Sequence, residues 1–192
     1  AFARTQIRYV NRSIYDGLIA YWSFDENGGT SFRDSANLPA AGNDGVVLPG
    51  GSFFGSTDRS PLREMYFNPS SLELDGVTGM GQVKDAATLN LANAFTVGAW
   101  IKRLAADDGG VIYLSGTNAG AWQFGLTPDG RLTFSAGGQV LATASQATAV
   151  NQWAYVAVTR QGTGSGSVRL WLNGVEVGTG SAGALAAPTG DK

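Results

Sequence analysis

The segment Val168-Arg169-Leu170-Trp171-Leu172-Asn173-Gly174-Val175-Glu176-Val177 writes out a β-hairpin. Val168, Leu170 and Leu172 fall on one face of a two-residue alternation, with Arg169 and Trp171 on the other. Asn173-Gly174 is the preferred pair for a type I′ turn, whose two central residues both need positive φ. A second strand carrying Val175 and Val177 therefore folds back along the first.

The same alternation recurs along the chain. Phe95, Val97, Ala99 and Ile101 share one face of 95–101, and Gly98 on the opposite face makes room for the Trp100 indole or a close backbone. Residues 153–160 alternate throughout. Shorter strands are expected at 111–114, 122–126 and 131–134, the last entered through Pro128-Asp129-Gly130, and a further one begins at Val140. Upstream, 17–24 reads as a strand with Leu18, Ala20, Trp22 and Phe24 on one face. It is followed by 45–48 and 71–76. The stretch 49–69, broken by Gly50, Gly51, Gly55, Pro61 and Pro69, reads as a surface excursion. Only 86–91 suits a short helical turn. Two-faced antiparallel strands require two layers that bury a shared core, so the chain is all-β.

Composition narrows the function. The 192 residues suffice for one domain, and the 28 glycines lack the triplet period of collagen, which makes them turn residues. A net charge of -2 without a basic block gives nucleic acid no footprint. Arg4, Arg8 and Arg12 read as a solvated terminal arm. Cysteine is absent, which removes disulfides and thiolate metal sites, and no apolar run reaches the roughly 20 residues that span a bilayer. Histidine is also absent, so no Ser-His-Asp triad and no histidine base can be built from this chain. Glu26, Glu64, Glu73 and Glu176 do not form the paired-carboxylate motif of a glycosidase cleft.

Five ordered blocks carry a family resemblance: 17–30, Arg33-Asp34-Ser35 through Gly42-Asn43-Asp44-Gly45, 71–76, 95–101, and 153–159 followed by 168–174. Together they resemble bacterial laminin-G-like, concanavalin-A-like domains, over roughly residues 17 to 186. The resemblance implies a β-sandwich with jelly-roll connectivity, of the kind found on secreted and bacterial cell-surface proteins. Some such domains bind glycans or calcium. Where similar domains continue into a final acidic strand, this chain reads Leu185 to Lys192. The expectation is a C-terminally incomplete sandwich over 17–192. An N-terminal arm, 1–16, or another subunit would then cover an exposed edge beside 168–172, with Ile7, Tyr9 and Ile14 as its anchors.

Candidate sites follow from the same blocks. Asp25, Asp34, Asn43 and Asp44 supply the oxygens that calcium prefers, and Asx-turns account for them equally well. Among the aromatics, Trp100 and Trp171 lie opposite their aliphatic neighbours and are the candidate glycan platforms, with Tyr113 a third. The leading expectation is a non-catalytic extracellular adhesion or surface-assembly module, part of a filament, whose partners are protein subunits or other domains. The alternative is a carbohydrate-binding module supported by calcium. A glycan-cleaving enzyme ranks third.

Overall fold

β-Branched and aromatic residues at every second position drive most of the strands that form. The structure, a computed structural model, describes residues 16–36, 42–54 and 70–192. Its shorter strands are β1 (Ser31–Phe32), β2 (Gly45–Val47), β3 (Gly51–Phe54), β4 (Ser71–Leu74) and β5 (Gly81–Val83). The longer ones follow: β6 (Ala94–Lys102), β7 (Gly110–Leu114), β8 (Trp122–Leu126), β9 (Arg131–Ala136), β10 (Gln139–Ala147), β11 (Trp153–Gln161), β12 (Gly164–Leu172) and β13 (Val175–Ala182). A 3-10 turn at Ala87–Leu89 occupies the expected helical spot.

Two four-stranded antiparallel sheets, ordered β13-β12-β11-β6 and β10-β9-β8-β7, bury one core between them. Val156, Val158, Val168 and Leu170 come from the first sheet, and Trp122, Phe124, Leu132 and Phe134 from the second. Asn173 and Gly174 take φ of 51° and 83°, and Leu172 pairs with Val175, as a type I′ hairpin demands. The expected exposed edge beside 168–172 is not there. β12 is an inner strand, with β11 on one side and β13 on the other, because the hairpin itself supplies the second neighbour.

Along one side of the sandwich β10 and β13 approach closely, and two glycines allow it. A Cβ on Gly180 would lie 2.1 Å from the Leu141 carbonyl oxygen, and one on Gly178 would lie 2.7 Å from that of Thr143. The Ser145 hydroxyl donates to the Val177 carbonyl across the same seam. Among the described residues two buried arginines, Arg103 and Arg160, have no carboxylate partner. Arg103 donates to Thr148 and to the carbonyls of Ala105 and Ala106. Arg160 donates to the carbonyls of Ala92, Asn93 and Gly183, tying the entry of β6 to the exit of β13. Burial draws the Arg160 guanidinium below its ordinary value.

A smaller second core is built from Phe32, Val47, Phe53, Val83 and Leu89. Its strands are ordered β1-β2-β5 and β3-β4. Here the expectations need two corrections. Residues 17–24 form no strand; only Trp22 makes a bridge, to Asp34, and Phe24 turns the chain at φ 54°. Ile19, Ala20, Trp22 and Phe24 nevertheless pack on this core. Within 49–69, 51–54 is a strand, pairing with β4 from Gly51 opposite Leu74 to Phe54 opposite Ser71.

The segment after β13 straps the two cores together. Thr117 donates its amide to Thr189, and Asn118 both accepts from Thr189 and donates to Ala187. Val83 and Lys192 then exchange both main-chain hydrogen bonds, at 2.7 and 2.8 Å. Asp191 receives the Asp85 amide and the Gln82 side chain. Ile7, Tyr9 and Ile14 of the expected arm lie outside the described residues.

Candidate functional site

Three of the four acidic-turn candidates come together, and N–H donors surround them. Asp34 accepts the main-chain amides of Tyr21, Ala36 and Asn43 and the side-chain amide of Asn43, all at 2.9–3.0 Å. Asp44 receives the Asp34 amide, while Asn43 accepts from Trp22 Nε1 through its carbonyl and from Thr88 through its side chain. Burial pushes the Asp34 carboxyl up, but these donors outweigh it and hold the group below its ordinary value. Asp25 stands apart from this network, accepting from Ser23 Oγ.

Calcium needs six to eight oxygens free to face it. At Asp34 both oxygens already face N–H groups, whose positive ends would repel a cation. The donor set therefore does not fit calcium; it fits a carboxylate that locks the first loop against β1 and β2. Among the described residues no three His, Cys, Asp or Glu side chains gather around a common point. Asp34→Asn should cost about 2 kcal/mol in urea melts, since the new amide donor would face existing donors. The depressed carboxyl sets the sign of the pH dependence. Its contribution is complete above the unfolded-state value of about 3.9 and disappears as pH falls through the lower folded value. Chelator and added calcium should both leave the wild-type melting temperature unchanged.

The aromatic candidates separate into two environments. Trp100 and Trp171 lie on the outer face of the β13-β12-β11-β6 sheet, since their neighbours Ala99, Ile101, Leu170 and Leu172 pack on the core. Tyr155, directly opposite Trp100 in the register, joins them, and the two rings sit 5.7 Å apart at 57°. Gly98 accommodates Tyr155 rather than Trp100: a Cβ there would lie 2.3 Å from the phenolic oxygen. In the next row Gly98, Ala157 and Trp171 are consecutive across three strands. The Trp171 indole donates to Thr159 Oγ1 at 3.0 Å, which fixes the ring on the sheet.

The Tyr155 phenol thus lies over Gly98 and Ala157 is buried, so the face presents outward the aromatic set of Trp100, Tyr155 and Trp171. Tyr155, which sequence reasoning overlooked, is 38% exposed. Its signal was present in the alternation of 153–161, which sets it opposite Val156. Tyr113 is elsewhere. It sits on β7 in the other sheet, its ring 5.3 Å from that of the core residue Trp122. Burial pushes its phenol up to about 12, and its hydroxyl is enclosed without a partner among the described residues. Beyond Trp171 the face opens into a groove bordered by β6, β11 and the start of β12. Thr96, Thr159, Thr163, Ser165 and Arg169 line it, and among the described residues no aspartate or glutamate does. Arg169 is paired with Glu176 at 3.1 Å.

Among the described residues no helix is long and apolar enough to cross a membrane. Comparison with curated proteins finds no match. A laminin G family model, described as concanavalin A-like lectin/glucanases superfamily, matches residues 75–192, which hold β5 to β13 and the C-terminal strap. The resembling blocks between 17 and 74 precede the matched range. Domains of this kind are typically extracellular and bind carbohydrate or protein, although some members of the superfamily are glycosidases. With more than half its length matched and two antiparallel sheets closed over one core, the chain belongs to the concanavalin A-like lectin/glucanase superfamily as a laminin G-type jelly-roll sandwich.

Proposed function

We propose that this chain is a non-catalytic extracellular adhesion module that recognises carbohydrate on the outer face of its β13-β12-β11-β6 sheet. The observation carrying this reading is the arrangement of Trp100, Tyr155 and Trp171 on neighbouring strands of that face. Pyranose rings stack their C–H faces on flat aromatic surfaces, and a ring whose polar edge is already tied presents such a surface at low ordering cost. The indole of Trp171 is tied in this way by Thr159. Glycoside hydrolysis needs two carboxyl groups flanking the bond, and among the described residues none lines the groove beside this face. Assembly by an arm along the 168–172 strand has less support, because both sides of that strand are occupied.

A glycan array probed with the folded protein tests the reading. Binding to at least one immobilised oligosaccharide is expected, with about a hundredfold loss in the Trp100→Ala/Tyr155→Ala double variant. The melting temperature of that variant should stay close to wild type, because both side chains lie outside the core. Absence of any bound glycan, or binding indifferent to the double variant, contradicts the proposal.

A further inference from the structure

Resting on the carbohydrate reading, we infer that the groove beyond Trp171 is a second subsite, and that the ligand is an extended neutral oligosaccharide rather than a single sugar or an acidic one. Length is the first argument. The Trp100–Tyr155 pair lies six residues along the β6–β11 ladder from the Ala94–Gln161 pair at its end. At strand spacing that is about 20 Å, more than one sugar ring can cover. The groove adjoins the far end of this track and shares Trp171, Thr159 and Thr96 with it, so the aromatic floor and the groove form one continuous path.

The lining gives the chemical class. Thr96, Thr159, Thr163, Ser165 and Gln161 are neutral groups that both donate and accept, which matches the hydroxyls of a neutral sugar. Ser167, at the base, is already spent on Ala182 in both directions. Of the two arginines in the lining, only Arg169 has a carboxylate partner among the described residues, while Arg160 is 2% exposed and turned inward. Arg169 is paired with Glu176, and Arg160 is held by three main-chain carbonyls. An acidic sugar reaching Arg169 would therefore meet the Glu176 carboxylate beside it, a like charge that disfavours it. The Gly162 to Gly166 hairpin forms the rim; Gly162, Gly164 and Gly166 all have positive φ, leaving the exposed side chains of Thr163 and Ser165 between them.

Isothermal titration with cello-, xylo- and manno-oligosaccharides from disaccharide to hexasaccharide, alongside a uronate series, tests the subsite. Wild type should bind the longer members of one neutral series at least about tenfold more tightly than its disaccharide. Ser165→Trp, which fills the groove, should remove that length advantage while leaving disaccharide binding intact. Thr163→Trp provides the same block should the first variant fold poorly. If length dependence survives in a folded variant, the groove is not a subsite, although loss of binding in Trp100→Ala/Tyr155→Ala would still uphold the aromatic face. Tighter binding of the uronate series, weakening with salt, overturns the neutral class. If neither neutral nor acidic sugars bind, the carbohydrate reading itself falls.

Discussion

Gly180→Val should leave the protein unfolded, or destabilised by about 3 kcal/mol or more, in urea denaturation followed by circular dichroism. The reason is the seam between β10 and β13. A Cβ at position 180 would meet the Leu141 carbonyl oxygen at 2.1 Å, its carbon at 2.8 Å and the Ala142 Cβ at 2.7 Å. Two of these three atoms are backbone, so no rotamer change relieves the clash. The sheets would have to separate at their closed side, above a core in which Val168, Leu170, Phe124 and Phe134 are fully buried. Gly183→Ala is the matching control. A Cβ there meets nothing within 4 Å, and the change should stay within about 0.5 kcal/mol of wild type. A mild effect at 180 would mean that β10 and β13 are not packed backbone to backbone.

Trp122→Ala is expected to cost about 4 kcal/mol, the upper part of the range for large aromatic truncations. Trp122 is 1% exposed, and its ring meets three other aromatic rings. Its ring stacks on Phe95 at 4.3 Å and 9°, and contacts Phe134 and Tyr113 at 5.5 and 5.3 Å. Its indole donates to the Leu91 carbonyl at 2.7 Å. Truncation leaves a cavity between the two sheets and an acceptor without its donor, so transfer, cavity and hydrogen-bond losses act together. Trp122→Phe, which keeps the stack on Phe95 and loses the Leu91 bond, should cost visibly less. Equal destabilisation by both substitutions would place the weight on the hydrogen bond instead of the packing.

The parts of the fold legible in the sequence are those whose information is local. Asn173-Gly174 dictates its own turn, and the nine residues of β11 alternate without interruption, so the face of every side chain could be assigned in advance. Trp100 and Trp171 were placed on the outer face by the same argument. Tyr113 escaped it because the register shifts between Val111 and Tyr113, and a bulge breaks the period-two rule on which the reading depends. β1, β3 and β5 hold two to four residues each, too few for a period to show, and they owe their existence to partners distant in sequence. The Phe24 turn was hidden because aromatic residues rarely adopt positive φ. For the acidic turns, composition identified the residues that meet but not their partners. Asp34 is ringed by N–H groups, three of them on the backbone, and backbone donors leave no mark in a list of side chains.

The claim that carbohydrate is recognised on the outer aromatic face is tested most directly by the tryptophan indole N–H signals in a 1H–15N NMR titration with the best-binding oligosaccharide. Three of the five indoles are tied in different places. Those of Trp22 and Trp122 are held inside by the carbonyls of Asn43 and Leu91, while that of Trp171 lies on the outer sheet against Thr159. Saturable shifts are expected at Trp100 and Trp171 with Trp22 and Trp122 unmoved, accompanied by shifts of the Gly98 and Ala157 amides beside them. Shifts confined to Gln123, Thr133 and Ser135 on the opposite sheet, with Trp100 and Trp171 silent, would contradict it.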